Sequence, residues 1–286
     1  MGDRLLDLYF RLLEKLARRL PPPRLWRLVY LTGALFRPAS YLPLLRQIQA
    51  NLAPYYPPEE RKRLLREMFI WESRLTAENA LLGQEPKATR ASFQHQPPRL
   101  PAPCLVATGH FFNYWLLIEL LRVTDQPVVL LMGDRPRGGS PAEDSGWRAW
   151  QRWRRQQSFL YASEGGAYQR CQEILAQGRR LLLLFDVPWP NGVPGSLLGQ
   201  RVRLPIGGWR LATRINVPVH LLFPLAENPL RPYGLLHQPL SPAHHPEELL
   251  ASYLRTLEEI ISRYPSSWMG WLYLHRFAED RRDQEK

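Results

Sequence analysis

Cysteine is nearly absent: Cys104 and Cys171 are the only two in 286 residues. Two thiols exclude a disulfide framework and a four-cysteine zinc site. Their apolar neighbours mark them as free, inert core thiols in a reducing compartment. Lysine is scarce too, with Lys15, Lys62, Lys87 and Lys286 the only four among 38 basic residues. No apolar run is built to cross a bilayer. The uncharged stretch from Leu100 to Ile118 is broken by Pro101, Pro103, Gly109, His110 and Asn113. The N-terminus mixes Asp3, Asp7 and Glu14 with its bases and shows no small-residue cleavage site, so no secretory signal is expected. No internal repeat, Walker-type phosphate loop or metal-ligand cluster occurs, and no motif calls for a cofactor.

Arginine and tryptophan are plentiful. The other 34 basic residues are arginines, against 26 acids, for a net charge of +12 and an isoelectric point near 10.1. Coding bias alone can raise arginine. The functional alternative is an anionic partner, because guanidinium forks match phosphate and carboxylate geometry. Ten Trp residues suit a membrane interface or a wide apolar pocket. The 45% apolar and 22% charged content is that of a folded globular chain.

The hydrophobic pattern divides the chain in two. Residues 1–85 read as all helix. In 3–20, Leu5, Leu6, Tyr9, Leu12, Leu13 and Leu16 recur at helical spacing, with bases mostly on other faces, before Pro21–Pro23 stops the helix. Such a helix either docks on its own domain or lies on a membrane surface. Helices are also expected over 42–53 and over 58–82, where Glu59 and Glu60 occupy a first turn. From 86 to 286 the pattern becomes α/β, a mixed sheet with helical crossovers. Expected strands are Cys104–Thr108, Val128–Met132, Phe159–Tyr161, Leu181–Phe185, Val217–Leu222 and Leu235–Leu236. Helices are expected near 111–123, 143–156, 167–177, 207–215 and 246–263.

In open α/β sheets ligands bind beyond the carboxyl ends of the strands. His110 follows the first strand there, at the start of a helix whose dipole would keep its imidazole neutral. Asp186 ends the LLLLF run and could point into the same crevice or cap its loop. Gly207 and Gly208 open a helix and would let backbone approach a ligand closely. A basic-aromatic stretch, Gly146–Arg155, puts Trp147, Trp150 and Trp153 in one stripe and Arg148, Arg152 and Arg155 on another face. The stripe suits a core or interface anchor. An RNA-binding face is the alternative, but no nucleic-acid motif accompanies it.

Four pieces in order resemble the late acyltransferases of lipid A biosynthesis and the wider lysophospholipid-acyltransferase-like group. They are IQANLAPYYPPEERKRLLREMF (Ile48–Phe69), ATGHFFNYW (Ala107–Trp115), FDVPWPNG with SLLGQRVRLPIGGWRLATRINVPV (Phe185–Pro218), and YPSSWMGWLYLHRF (Tyr264–Phe277). The resemblance covers nearly the whole chain. It implies transfer of a fatty acyl group from an acyl carrier protein or acyl-CoA thioester to a hydroxyl, or an amine, of a lipid or lipid-like acceptor. It implies His110 as general base. The acid that the family carries five positions after its His is here Trp115. Asp186 and Asn113 are the expected replacements, one as charge, the other as a neutral hydrogen-bond partner. The resemblance further implies arginines on the anionic substrate, with Arg135 and Arg148 as candidates.

These readings converge on a peripheral enzyme at the cytoplasmic face of the bacterial inner membrane, drawn to anionic lipid and not to nucleic acid. His110 is expected at the mouth of an acyl-sized groove walled by Phe111, Phe112, Trp115 and Trp189. The competing reading is a weakened or inactive acyl-binding subunit of a biosynthetic complex, motivated by Trp115. The distance from His110 to the nearest carboxylate separates the two.

Overall fold

A computed structural model describes residues 8, 11–13, 15–17, 19–35, 42–79, 82, 86–133, 153, 157–189, 191–241, 243 and 245–276. The expected helix over 143–156, apart from Trp153, lies outside these residues. So do Arg135, Arg148 and the charged C-terminal tail.

Helices come first. The described residues of 11–17 are helical and bury Leu13 and Ala17 against Leu25 and Val29 of α1 (Pro22–Leu35). Next come α2 (Leu42–Leu52), α3 (Pro58–Asn79) and the short α4 (Pro86–Ala91). Glu59 and Glu60 occupy the first turn of α3, where the free N–H groups favour negative charge. Ile48 and Leu52 of α2 and Leu64 and Trp71 of α3 share one continuous core with the sheet residues.

The α/β part begins with β1 (Cys104–Thr108), α5 (Tyr114–Val123), β2 (Val128–Met132) and β3 (Ser158–Tyr161). It continues with α6 (Ala167–Ala176), β4 (Arg180–Leu184), the hairpin β5 (Val193–Leu197) and β6 (Gln200–Leu204), and α7 (Gly207–Arg214). The chain then runs through β7 (Val219–Leu225), β8 (Gly234–Leu240) and α8 (Pro246–Arg263) into 3-10 turns that end at Arg276. The main sheet has the order β3-β2-β4-β1-β7-β8. Its pairs are parallel except β7–β8. All five residues of β1 are buried, as a strand covered on both faces requires.

The mixed α/β class is therefore as expected; β1 and β2 fall where apolar runs predict them, β4 and β7 lie within one to three residues of the expected bounds, and β8 is seven residues long where only Leu235–Leu236 was expected. Two departures matter for the site. The helix expected from residue 111 starts at Tyr114, because Phe112 adopts φ 44° and turns the chain before Asn113 caps the helix. The second is the β5–β6 hairpin, which sequence periodicity did not reveal. Leu198 and Gly199 both take positive φ at its turn, the geometry that a two-residue hairpin needs.

A buried polar cluster fastens the helical segment behind the sheet. Glu78, fully buried, accepts hydrogen bonds from Trp26 Nε1 (2.9 Å), Arg74 Nε (2.8 Å) and the Tyr233 hydroxyl (2.8 Å). Arg74 also donates to the carbonyls of Pro229 and Arg231 and lies over the Trp26 and Tyr233 rings. These bonds offset much of the cost of burying the charge pair, although Arg74 Nη2 is left without a hydrogen-bond partner.

Candidate active site

β1 lies between β4 and β7, and its parallel pairing with β4 sets Thr108 opposite Leu184. Two residues beyond each strand come His110 and Asp186. The register alone therefore brings residues 76 apart in sequence to the same spot beyond the carboxyl edge. His110 Nδ1 is 2.8 Å from Asp186 Oδ1, and the His110 backbone N–H donates to Asp186 Oδ2 at 2.7 Å. Trp268 Nε1 donates to the same Oδ2 at 2.9 Å. Asp186 is fully buried and His110 is partly open. The fixed carboxylate makes Nδ1 the donor nitrogen, which leaves the Nε2 lone pair free for an acidic proton.

This contact depends on Gly109. A Cβ there would meet Asp186 Oδ2 at 3.0 Å and Phe111 at 3.3 Å, so a larger residue would push the carboxylate away. The C-terminal segment holds the loop from the other side. Met269 N–H donates to the His110 carbonyl and Phe112 N–H to the Ser267 carbonyl.

His110 opens on a cavity of about 590 Å³. Leu130, Leu131, Leu181, Leu183, Leu184, Phe185 and Leu211 give it a mainly aliphatic wall, and Trp115, Trp189, Gly207 and Gly208 also line it. Trp189 and Tyr168, 43% and 37% exposed, contribute from the loop after β4 and from α6. Gly207 meets open space. A Cβ on Gly208 would strike Leu183 and Phe185, so glycine there lets α7 pack on β4.

Three expected site residues do different work. Phe111 is not in the wall: it is fully buried, bridges to Trp268 and packs edge-on against Phe223 at 5.7 Å. Phe112 packs on Trp71 at 4.4 Å and lines a separate apolar cavity of about 150 Å³ beneath α3. Asn113 does not touch the His110 ring. Its Oδ1 caps α5 by accepting from Leu116 N–H (3.1 Å), and its Nδ2 donates to Glu78 Oε2 (3.4 Å). Asp186 alone supports His110 among the two candidates.

Sequence reasoning passed over Tyr114, Trp268 and Arg210. The Tyr114 ring stands edge-on to the His110 ring at 5.2 Å and lines the cavity. Burial first, then the charges of Asp186 and Glu72, push its phenol well above the ordinary tyrosine range. Arg210, on the first turn of α7, is the only formally charged side chain in the described lining besides the titratable His110. The Gly-Gly-Trp-Arg sequence was the available signal for it. Trp268 lay within the C-terminal piece of the resemblance, but no spacing in the chain announced its bond to Asp186.

Glu119 is a structural acid. It is fully buried and accepts from Arg122, from Trp153 Nε1 (2.7 Å) and from Gln157. Trp153, the described member of the tryptophan stripe, is thus a core anchor. Both cysteines are free and buried. Burial pushes the Cys104 thiol up to about 12 and the Cys171 thiol, on the cavity wall, up to about 11. Both stay protonated and unreactive near neutral pH. Among the described residues no group of three or more His, Cys, Asp or Glu could hold a metal ion, and no helix is long and apolar enough to cross a membrane.

No protein-family model matches the chain, and no curated protein matches it.

Proposed function

We propose that this chain is an acyltransferase that moves a fatty acyl group from a thioester to a hydroxyl of a lipid-like acceptor. One observation carries the reading: a His110–Asp186 pair at 2.8 Å opens on a large, mainly aliphatic cavity. A base held in one tautomer suits deprotonation of an alcohol. Leucine-rich walls suit an alkyl chain, whose transfer from water stabilises the complex by about 0.8 kcal/mol per buried CH₂. In this reading His110 Nε2 takes the acceptor's proton as its oxygen attacks the thioester carbonyl, and returns that proton to the departing sulfur. Asp186 fixes the ring and stabilises the imidazolium. Arg210 gives the rim a cation for an anionic donor or acceptor. The donor would be an acyl carrier protein or acyl-CoA.

The alternative of an inactive acyl-binding subunit rested on the missing acid at position 115. A carboxylate at hydrogen-bond distance from His110 favours the active reading over it. Peripheral attachment to the cytoplasmic face of an anionic membrane belongs to the same proposal, supported by the +12 charge and by exposed Leu8, Leu12, Tyr30 and Leu31 on the first helices.

The test uses dodecanoyl-CoA with a panel of long-chain alcohols and monoalkyl glycerols, read as free thiol and ester product. His110→Ala is expected to lower turnover by about 10²–10⁴ while leaving the melting temperature unchanged, since general-base assistance is of that size. A variant that turns over as fast as the parent overturns the mechanism.

A further inference from the structure

We propose that Tyr114 is a catalytic residue of this site, its phenol O–H donating the hydrogen bond that stabilises the oxyanion formed on the thioester carbonyl. The proposal rests on the acyl-transfer reading above and adds a residue to it.

Placement comes first. Tyr114 is the first residue of α5, four positions after His110, and the Phe112 turn sets its ring edge-on to the imidazole with centroids 5.2 Å apart. It lines the same cavity as His110. In the proposal the thioester carbonyl sits in this cavity beside both rings.

Availability comes second. The Tyr114 hydroxyl has no hydrogen-bond partner among the described residues, yet it is not sealed in protein like the unpartnered hydroxyls of Tyr55 or Thr108. A polar group left unbonded at a cavity wall is costly unless something fills the cavity and bonds to it. Three backbone donors of the loop that carries His110 are already committed. His110 N–H goes to Asp186, Phe111 N–H to the Gly109 carbonyl and Phe112 N–H to the Ser267 carbonyl. The loop thus spends amides that a strand-end turn could otherwise turn toward an oxyanion.

Chemistry comes third. An oxyanion donor must keep its own proton while negative charge develops beside it. Enclosure and the charges of Asp186 and Glu72 disfavour the phenolate, so the O–H stays intact. The acceptor oxygen bonds to the carbonyl carbon as its proton passes to His110 Nε2, and the C=O π pair moves onto oxygen. That oxyanion accepts the Tyr114 hydrogen bond. When the pair returns, the C–S bond breaks, and the sulfur leaves with the proton from Nε2. Tyr114 ends as it began, a neutral phenol.

Tyr114→Phe removes one oxygen and leaves the ring contacts. It is expected to lower kcat with dodecanoyl-CoA by about 10²–10³, the usual cost of one oxyanion donor, with KM and melting temperature little changed. A second arm measures binding of a long-chain trifluoromethyl ketone, whose hydrate forms an oxyanion, against the matched methyl ketone. The parent is expected to prefer the trifluoromethyl ketone, and Tyr114→Phe to lose at least about tenfold of that preference. If the parent cleaves the thioester and Tyr114→Phe stays within about threefold, the Tyr114 assignment falls while the acyl-transfer reading stands. If the parent does not cleave but its ketone preference depends on Tyr114, the assignment stands and the choice of acyl acceptor falls. A parent with neither activity nor preference overturns both.

Discussion

At the scale of single residues, the decisive feature is that Asp186 Oδ1 meets His110 Nδ1 while Oδ2 is held by two N–H donors. The carboxylate is fixed in plane, and the ring with it. Asp186→Asn keeps the shape but can present an amide N–H to Nδ1, which forces the proton onto Nε2. That tautomer cannot act as a base, and turnover is expected to fall by about 10²–10⁴, measured with the same thioester assay. Retention of more than about a tenth of parental turnover would show that the pair is not the proton relay. Trp115 gives the complementary prediction. Its ring lies 4.5 Å from Tyr114 and 5.6 Å from Trp153, so it is wall and not acid. Trp115→Glu returns an acid to the position the resemblance expects, but Asp186 already occupies Nδ1. No gain in turnover is expected. The carboxylate set among aromatic rings should cost about 1–3 kcal/mol in chemical unfolding. A gain in rate would assign the role of Asp186 to structure alone.

At the scale of elements, apolar runs announced β1, β2 and β4 because strands buried on both faces show unbroken hydrophobicity. The β5–β6 hairpin escaped because Pro194 and Gly195 sit inside β5, residues that weaken strand character. It is legible only through pairing: its Leu198 N–H reaches Glu258 of α8, and Trp189 N–H bonds the Arg203 carbonyl. That second bond holds the loop whose Trp189 lines the cavity. The two glycines of α7 looked equivalent in sequence and are not. Gly208→Ala drives a methyl into Leu183 and Phe185 and should cost about 1–3 kcal/mol by denaturant titration. Gly207→Ala meets open space and should stay within about 0.5 kcal/mol. Equal effects at both positions would contradict the close approach of α7 to β4.

At the scale of the whole molecule, basic charge and apolar exposure coincide on the N-terminal helices. Leu8 and Leu12 are 63% and 52% exposed, Leu31 64%, and Arg24 and Arg27 of α1 are exposed too. Cosedimentation is expected with vesicles containing anionic lipid, weakening as salt rises, because surface charges are screened over about 10 Å at 0.1 M. Equal, salt-insensitive binding to neutral vesicles would remove the electrostatic part of the proposal. Much about the molecule was determined by the sequence itself: the helical start, the α/β continuation, the positions of the buried strands, His110 at a strand end and the free thiols. These are local consequences of hydrophobic period and of turn residues, so they survive without knowledge of neighbours. The pairing of His110 with Asp186 was a conjecture until the β1–β4 register was known. A shift of one residue would have turned one side chain to the opposite face of the sheet. Phe111, Phe112 and Asn113 take roles other than those expected because their partners, Phe223, Trp71 and Glu78, come from distant elements. Trp268 reaches Asp186 across 82 residues, and no local period encodes such a contact. Tertiary packing alone decides which donors surround a carboxylate and which aromatic ring is set beside the imidazole.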